Sequence, residues 1–265
     1  MVTQSLHDAV VAHVRDGDTV YVGNFGAQLF SVAHELIRQR RRRLHLVVAS
    51  GGILMDQLLG AGVLSAATFG HCWGPVGPAP AHVFRRLAES GQPQCTFHEV
   101  TLGMLSAGLT AAAWGVPFMP VGAVDDTGYV TDDWSGGLVD QAVCRFGTTT
   151  VVRAIQPDIA FVHVDQADEA GNGVIRGPLG EALVAAQAAR RVVVVAEEIV
   201  STDTVCRIGI TVPEVLVSAV VHQPGAVAPD GALGRYDRDV AAYRSYADAS
   251  STPEGFVRWA EEVVR

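Results

Sequence analysis

Residues 17–26 read GDTVYVGNFG, and the rest of the chain is best understood outward from this stretch. The β-branched and aromatic run over 19–22 predicts a buried strand. The glycines at 23 and 26 predict a tight turn directly after it, and apolar residues at helical spacing follow over 28–42. A strand, a glycine turn and a helix in this order are typical of α/β folds.

The spacing of these glycines argues against the common nucleotide-binding loops. A dinucleotide site requires GxGxxG and an acidic residue about 20 positions later. Here two residues separate the glycines, and residues 44–49 contain no acid. The chain has no lysine, since all 19 basic residues are arginine, which excludes a P-loop and pyridoxal phosphate chemistry. The turn could instead hold an oxyanion or phosphate on backbone N–H groups, or bind no ligand.

Composition and charge limit the possible partners. The chain has 265 residues, 49% of them apolar, which suits a globular protein with a sizeable core. A net charge of −9 disfavours nucleic acid. No apolar run reaches the ~18 residues of a membrane span, and the acidic, amphipathic start is unlike a targeting peptide. We therefore expect a cytoplasmic protein with neither a membrane nor a nucleic acid as partner.

Cysteine and histidine spacing predicts no metal site. The four cysteines (72, 95, 144 and 206) are widely and irregularly spaced, and the nine histidines form no HExxH pattern. We expect the cysteines to be reduced and mostly buried.

Helical stretches alternate with short apolar strands along most of the chain, with strands predicted over 19–22, 44–49, 66–70, 95–100, 148–155, 158–164 and 191–196. This alternation predicts an α/β fold with an open, mostly parallel sheet and helices on both faces. We treat 1–265 as one domain, with an irregular excursion over about 123–150 and a helical tail over about 236–265.

Ligands of such sheets bind at the carboxyl ends of the strands. The loops at 23–26, 50–52 and 98–99 can therefore converge on one crevice. Glu99 there could be catalytic or could pair with a helix start, and Ser50 lacks the GxSxG context of a nucleophile elbow. Glu197 and Glu198 follow five apolar residues and are interpreted as structural or interface acids.

Four segments together resemble the α subunits of family I coenzyme A transferases. They are DGDTVYVGNFGAQLFSVAHELIRQ (16–39), PDIAFVHVDQADEAGNGVI (157–175), AAQAARRVVVVAEEIV (185–200) and PGAVAPDGALGRYDRDVAAYRSY (224–246). The last is similar to the glutaconate CoA-transferase branch, which includes α chains of steroid-ring-opening hydrolases.

The resemblance implies a fold shared with ribose-5-phosphate isomerases and an enzyme built as αβ or α2β2. A glutamate of the β subunit would attack an acyl-CoA, with coenzyme A and a carboxylic acid as substrates and no tightly bound cofactor. The implied residues are those of the oxyanion and substrate site (Gly23, Asn24, Phe25, Gly26, Ser50, Gly51, Gly52) and of a turn near it (Gly171, Asn172).

The chain also departs from its relatives. Asn24 stands where a second glycine is usual, and Glu99 is the only acid in TFHEVTLGM. In the ring-opening relatives an acid of this region is thought to take part in catalysis, so the alternative is a hydrolase acting on a CoA thioester, with Glu99 as acid or base. An effector-binding module of the same fold is a third possibility. For substrate recognition the candidate arginines are Arg145, Arg153 and Arg176.

Overall fold

An open β-sheet with helices on both faces forms the centre of the computed structural model. The structure describes residues 3–24, 26–77, 80–90, 94–122, 124 and 127–264, apart from the side chains of residues 24 and 131. The strands are β1 (Thr3–Gln4), β2 (Thr19–Asn24), β3 (Ala27–Gln28), β4 (Leu44–Ser50), β5 (Leu64–His71), β6 (Thr96–Glu99), β7 (Phe118–Pro120), β8 (Val139–Cys144), β9 (Gly147–Arg153), β10 (Ile159–Val164), β11 (Gln166–Ala167), β12 (Gly173–Val174), β13 (Val192–Ala196) and β14 (Ala219–His222).

The helices lie between these strands and at the end of the chain. They are α1 (Leu6–His13), α2 (Phe30–Arg38), α3 (Gly52–Gly60), α4 (His82–Glu89), α5 (Leu102–Ala113), α6 (Gly128–Thr131), α7 (Ala182–Ala188), α8 (Thr202–Ile208), α9 (Val240–Ser250) and α10 (Pro253–Trp259), with a 3-10 turn at Glu214–Leu216 and a π-helical turn at Ala260–Val264. Among the described residues, none of these helices is long and apolar enough to cross a membrane.

The main sheet has the strand order β1-β14-β13-β10-β2-β4-β5-β6, and each neighbouring pair in this order is parallel. Strand β3 pairs antiparallel with β2. The predicted mostly parallel sheet is therefore confirmed. Its carboxyl ends share one edge, which is where ligands of this architecture bind.

Both faces of the sheet are covered by apolar layers. In β10, Ile159 and Phe161 pack into one core with helices α1–α4, α9 and α10, whereas Ala160, Val162 and Val164 pack into the other with α5 and α7. A strand buried on both sides needs a continuous apolar run, which explains why IAFVHV and VVVVA show no polar alternation.

Residues 127–150 are more regular than the irregular excursion that the sequence predicted over about 123–150. Strands β8 and β9 pair antiparallel across a turn at 144–147, and β9 also pairs with β7, giving a separate three-stranded sheet. The β-branched residues over 148–152 favour this hairpin. The aspartates and glycines that suggested irregular chain are concentrated before it, where a loop over 132–138 runs into β8.

Several boundaries also differ from the prediction. Helix α2 starts at Phe30, two residues later than expected, because Ala27 and Gln28 pair with β2; it ends at Arg38, not at residue 42. Strands β1 and β14 and helix α8 were not predicted. The tail is helical as expected, and the Thr252 side chain caps α10 by accepting from the Gly255 N–H.

Candidate active site

The turn after β2 is a hairpin. Gly23 pairs with Gln28 and Asn24 with Ala27, so the chain reverses once before it enters α2. Gly23 has a φ of +75°, and a Cβ there would overlap the Ala27 carbonyl oxygen and lie 2.8 Å from the Leu29 nitrogen. Glycine is therefore required at this position by conformation and by space. Phe25, named as a candidate, lies outside the described residues.

The side chain of Gln28 joins this hairpin to the end of β4. Its Nε2 donates to the carbonyl oxygens of Ser50 and, at 3.5 Å, Gly51. The predicted convergence of the 23–26 and 50–52 loops is thus present. The Gly51 N–H already donates to the His71 carbonyl at 2.8 Å, so it is not available to a substrate. Gly52 begins α3, whose first N–H groups have no acceptor within the helix.

A segment of the chain tail, residues 230–238, lies beside the hairpin and forms a cleft with it. The larger part of the cleft, about 480 Å³, is lined by Gly26 and residues 231–238. A recess of about 70 Å³ is lined by Gly26, Gln28, Ser50, Trp73, Pro75, Asp230 and Arg238. Gly26 and Arg238 line both spaces, which are therefore adjacent.

A buried acid holds the tail segment in place. Glu197 accepts hydrogen bonds from His163 Nε2 (3.0 Å), the Tyr236 hydroxyl (2.6 Å) and the Gly225 N–H (2.7 Å). Burial disfavours the charged carboxylate, but these donors outweigh it and bring the pKa of Glu197 below its ordinary value. Because Tyr236 belongs to the cleft wall, Glu197 fixes one residue of that wall.

Its neighbour Glu198 lies on the surface. It accepts from Gln166 Nε2 at 2.7 Å, the main cause of its lowered pKa, and from Arg235 at 3.3 Å. Arg235 also donates to the Asp165 carbonyl at 2.7 Å. The pair at 197–198 thus has the structural roles that the sequence indicated.

Glu99 lies apart from the hairpin. It ends the edge strand β6, three strand positions from β2, or about 14 Å at the usual strand spacing. Its N–H donates to the Trp134 carbonyl at 2.9 Å. The pKa of Tyr129 is raised, first by burial and then by the charge of Glu99, which places the two side chains near each other. The structure therefore brings together two of the three predicted loops and leaves Glu99 at the far side.

Known proteins share this architecture and much of this sequence pattern. Residues 3–223 match the family model described as coenzyme A transferase. The chain belongs to the coenzyme A transferase family. Over 265 aligned residues it is 32% identical to the A subunit of the 3-oxoadipate CoA-transferase of Pseudomonas knackmussii, covering 98% of this chain and 93% of that one.

Two further relatives mark the range of the family. The chain is 30% identical over 264 residues to the cholesterol ring-cleaving hydrolase IpdA subunit of Mycobacterium tuberculosis, covering 94% of this chain and 88% of that one. The crystal structure of glutaconate coenzyme A-transferase from Acidaminococcus fermentans matches with a TM-score of 0.91 and 26% identity, over 100% of this chain and 89% of the other. The resemblance and the enzyme class inferred from the motifs are confirmed.

In this CoA-transferase family chain, Gly171 and Asn172 form an internally bonded turn. The Asp168 carboxylate accepts both backbone N–H groups at 2.8 Å. The Asn172 side chain donates to Asp168 at 3.0 Å and to Glu214 at 3.2 Å, and accepts from the Glu214 N–H at 3.1 Å. These contacts hold the β11–β12 hairpin.

The three predicted arginines lie outside the cleft lining. Arg145 stacks over Phe146 on the β8–β9 hairpin, Arg153 is exposed at the end of β9, and Arg176 donates to Gln166 at 2.8 Å. Sequence reasoning missed Arg235 and Arg238, which do line it. Their signal was present, because both lie in the segment 224–246 that carries the family resemblance.

The cysteines and acids of this CoA-transferase family chain form no metal centre in the described ranges, where no group of three or more His, Cys, Asp or Glu has suitable geometry. Cys72 is partly buried and Cys95 fully, and burial raises the pKa of Cys95 to about 12. Cys144 and Cys206 are exposed free thiols.

Proposed function

We propose that this chain is the α subunit of a heteromeric CoA-transferase, which moves coenzyme A between an acyl-CoA and a carboxylic acid. Its partner is a β subunit that supplies the catalytic glutamate. The observation that carries the proposal is the hairpin turn at the carboxyl end of β2, tied by Gln28 to the Ser50 loop and open to a cleft of about 480 Å³. Coenzyme A enters as a substrate, and no tightly bound cofactor is required.

The reaction proceeds through covalent intermediates on the β glutamate. Its carboxylate attacks the thioester carbonyl, which forms a mixed anhydride and expels the CoA thiolate. The thiolate then attacks the glutamyl carbonyl, giving a glutamyl-CoA thioester and releasing the first acid as a carboxylate. The second acid repeats the two steps in reverse order and leaves as its CoA thioester.

The α chain contributes donors for the oxyanion that forms in each step. Within the described residues the Gly26 N–H has no acceptor, so it is available to water or to substrate. The first N–H groups of α3, from Gly52, lie beside the same loop. Loss of one oxyanion donor typically costs about 3–4 kcal/mol of transition-state stabilisation. Asn24 stands where a glycine is usual and is a candidate to contact the acyl group.

Production of the chain with its β partner allows a direct test. The pair is incubated with an acyl-CoA, with and without a carboxylic acid, and products are separated by mass spectrometry. A transferase forms the acid's CoA thioester only when the acid is present, and total thioester is conserved. Release of free thiol at the same rate without acid would contradict transfer.

The similarity to the IpdA subunit favours a hydrolase acting on a CoA thioester as the second candidate. In that case Glu99, exposed at the end of β6, serves as acid or base. Glu99→Gln in the assembled pair should then reduce turnover at least about a hundredfold, the usual contribution of general acid–base catalysis. Glu262→Gln, an exposed acid in the C-terminal turn, is the matched control. Unchanged turnover in Glu99→Gln removes Glu99 from the catalytic residues.

A further inference from the structure

The recess of about 70 Å³ beside Gly26 has the size of a single small functional group. A water molecule needs about 10–15 Å³ of such space, so the recess is large enough for a small polar group. Trp73 and Pro75 form its apolar walls, and its polar lining residues are Gln28, Ser50, Asp230 and Arg238. A carboxylate fits this space.

The guanidinium of Arg238 is held in place at this recess. Its Nε donates to Asp230 Oδ1 at 2.7 Å, and its Cζ lies 5.9 Å from the centre of the Tyr243 ring. The Asp230 carboxylate is buried, while 37% of the Arg238 side chain is exposed. The contacts with Asp230 and Tyr243 fix the plane of the guanidinium, which keeps further N–H donors and remains accessible at the cleft. This is the geometry of a pre-organised anion receptor.

Two further features favour an anion here. No described residue exchanges a hydrogen bond with the Ser50 hydroxyl, so it is available as a donor in the recess. Helix α3, nine residues long, begins at Gly52, two positions after Ser50, with its positive end at this loop. By contrast, Arg235 in the same tail segment already donates to the Asp165 carbonyl oxygen and to the Glu198 carboxylate.

We propose that this recess binds a carboxylate of the acid substrate, with Arg238 as its charged receptor and Ser50 as a second donor. The inference rests on the proposed function, which supplies the carboxylic acid. The carboxylate has two sources: the reacting carboxylate of any acceptor, or the second carboxylate of a dicarboxylic substrate. Because Gly26 and Arg238 line both spaces, a group in the recess lies next to a molecule in the larger cleft.

The test compares glutarate with pentanoate as acceptors for the αβ pair, since a methyl group replaces the second carboxylate in pentanoate. Arg238→Gln should lower kcat/KM for the acceptor acid about tenfold to a hundredfold, because a charge-assisted hydrogen bond to the carboxylate is lost. Arg238→Lys keeps the charge and should lose less. A loss with glutarate alone assigns the second carboxylate, and an equal loss with both acids assigns the reacting one. Arg244→Gln, an exposed arginine of α9 with no polar contact in the described part, is the control.

Ser50→Ala is a second variant, and it breaks no hydrogen bond of the Ser50 hydroxyl within the described residues. It should lower kcat/KM for whichever acid loses kcat/KM in Arg238→Gln. The assignment is overturned if Arg238→Gln and Ser50→Ala match the Arg244→Gln control with both acids, or if only the KM for acyl-CoA rises. Thermal stabilisation of the pair by glutarate separates this inference from the proposed function. Stabilisation that disappears in Arg238→Gln supports the recess even in a pair without transferase activity.

Discussion

Replacement of Gly23 by alanine tests whether the hairpin is built on a close backbone approach. The φ of +75° costs an L-residue about 1–2 kcal/mol in the left-handed region. The added Cβ would also overlap the carbonyl oxygen of Ala27, which cannot move without breaking the pairing between β2 and β3. Overpacking of this kind costs about 1–3 kcal/mol. Gly17→Ala is the matched control, since Gly17 has a φ of +91° but nothing within 4 Å of its Cβ position.

We expect Gly23→Ala to be about 2 kcal/mol less stable than Gly17→Ala, because only the first variant meets an obstacle. For a chain of this size the difference corresponds to a Tm about 4–8 °C lower, measured by circular dichroism or calorimetry. Gly23→Ala should also lower kcat of the αβ pair, whereas Gly17→Ala should not. Equal loss of stability in the two variants would refute the steric argument. The positive φ that both glycines share would then account for the whole effect.

Three other changes have defined outcomes. The pKa of Glu197 lies below its ordinary value of 4.5, so the ionised carboxylate stabilises the fold above that pH. This stabilisation disappears as the pH falls through the lowered pKa. The free energy of unfolding of Glu197→Gln, measured by urea denaturation, should therefore depend less on pH between about 5 and 3 than that of the wild type. Tyr236→Phe removes the 2.6 Å donor to Glu197 and should cost about 1–3 kcal/mol together with a higher KM, and an unchanged free energy of unfolding would contradict this. Asn172→Ala breaks the link between Asp168 and Glu214 and should cost about 2–3 kcal/mol at unchanged KM, so a raised KM in a stable variant would instead place Asn172 against substrate.

The sequence was most informative where one physical requirement dominates. Strands buried on both faces need continuous apolar runs, so IAFVHV and VVVVA were identified without ambiguity. The glycines at 23 and 26 predicted a turn correctly. They did not reveal that residues 27–28 return to pair with β2, because Ala-Gln has no strong preference and the pairing is decided by tertiary context.

The tail side of the cleft was harder to predict. Arg238 lies about 200 residues from Gly26 in sequence, and its position depends on Glu197, His163 and Tyr236, which no local pattern connects. Glu99 was correctly placed at a strand end, but its distance from the hairpin follows from strand order, which spacing along the chain does not determine. The loops after β2 and β4 meet because these two strands are neighbours in the sheet.

The Glu197 network also has a consequence for biosynthesis. Its donors come from β10, from the turn after β14 and from the tail segment, at separations of 34, 28 and 39 residues along the chain. When β2, β4 and their glycine turns have been synthesised, only one wall of the cleft is therefore present. The opposite wall, residues 231–238, is made only after β14, so a chain terminated before it retains the motif GNFG but not the surface that would receive an acid.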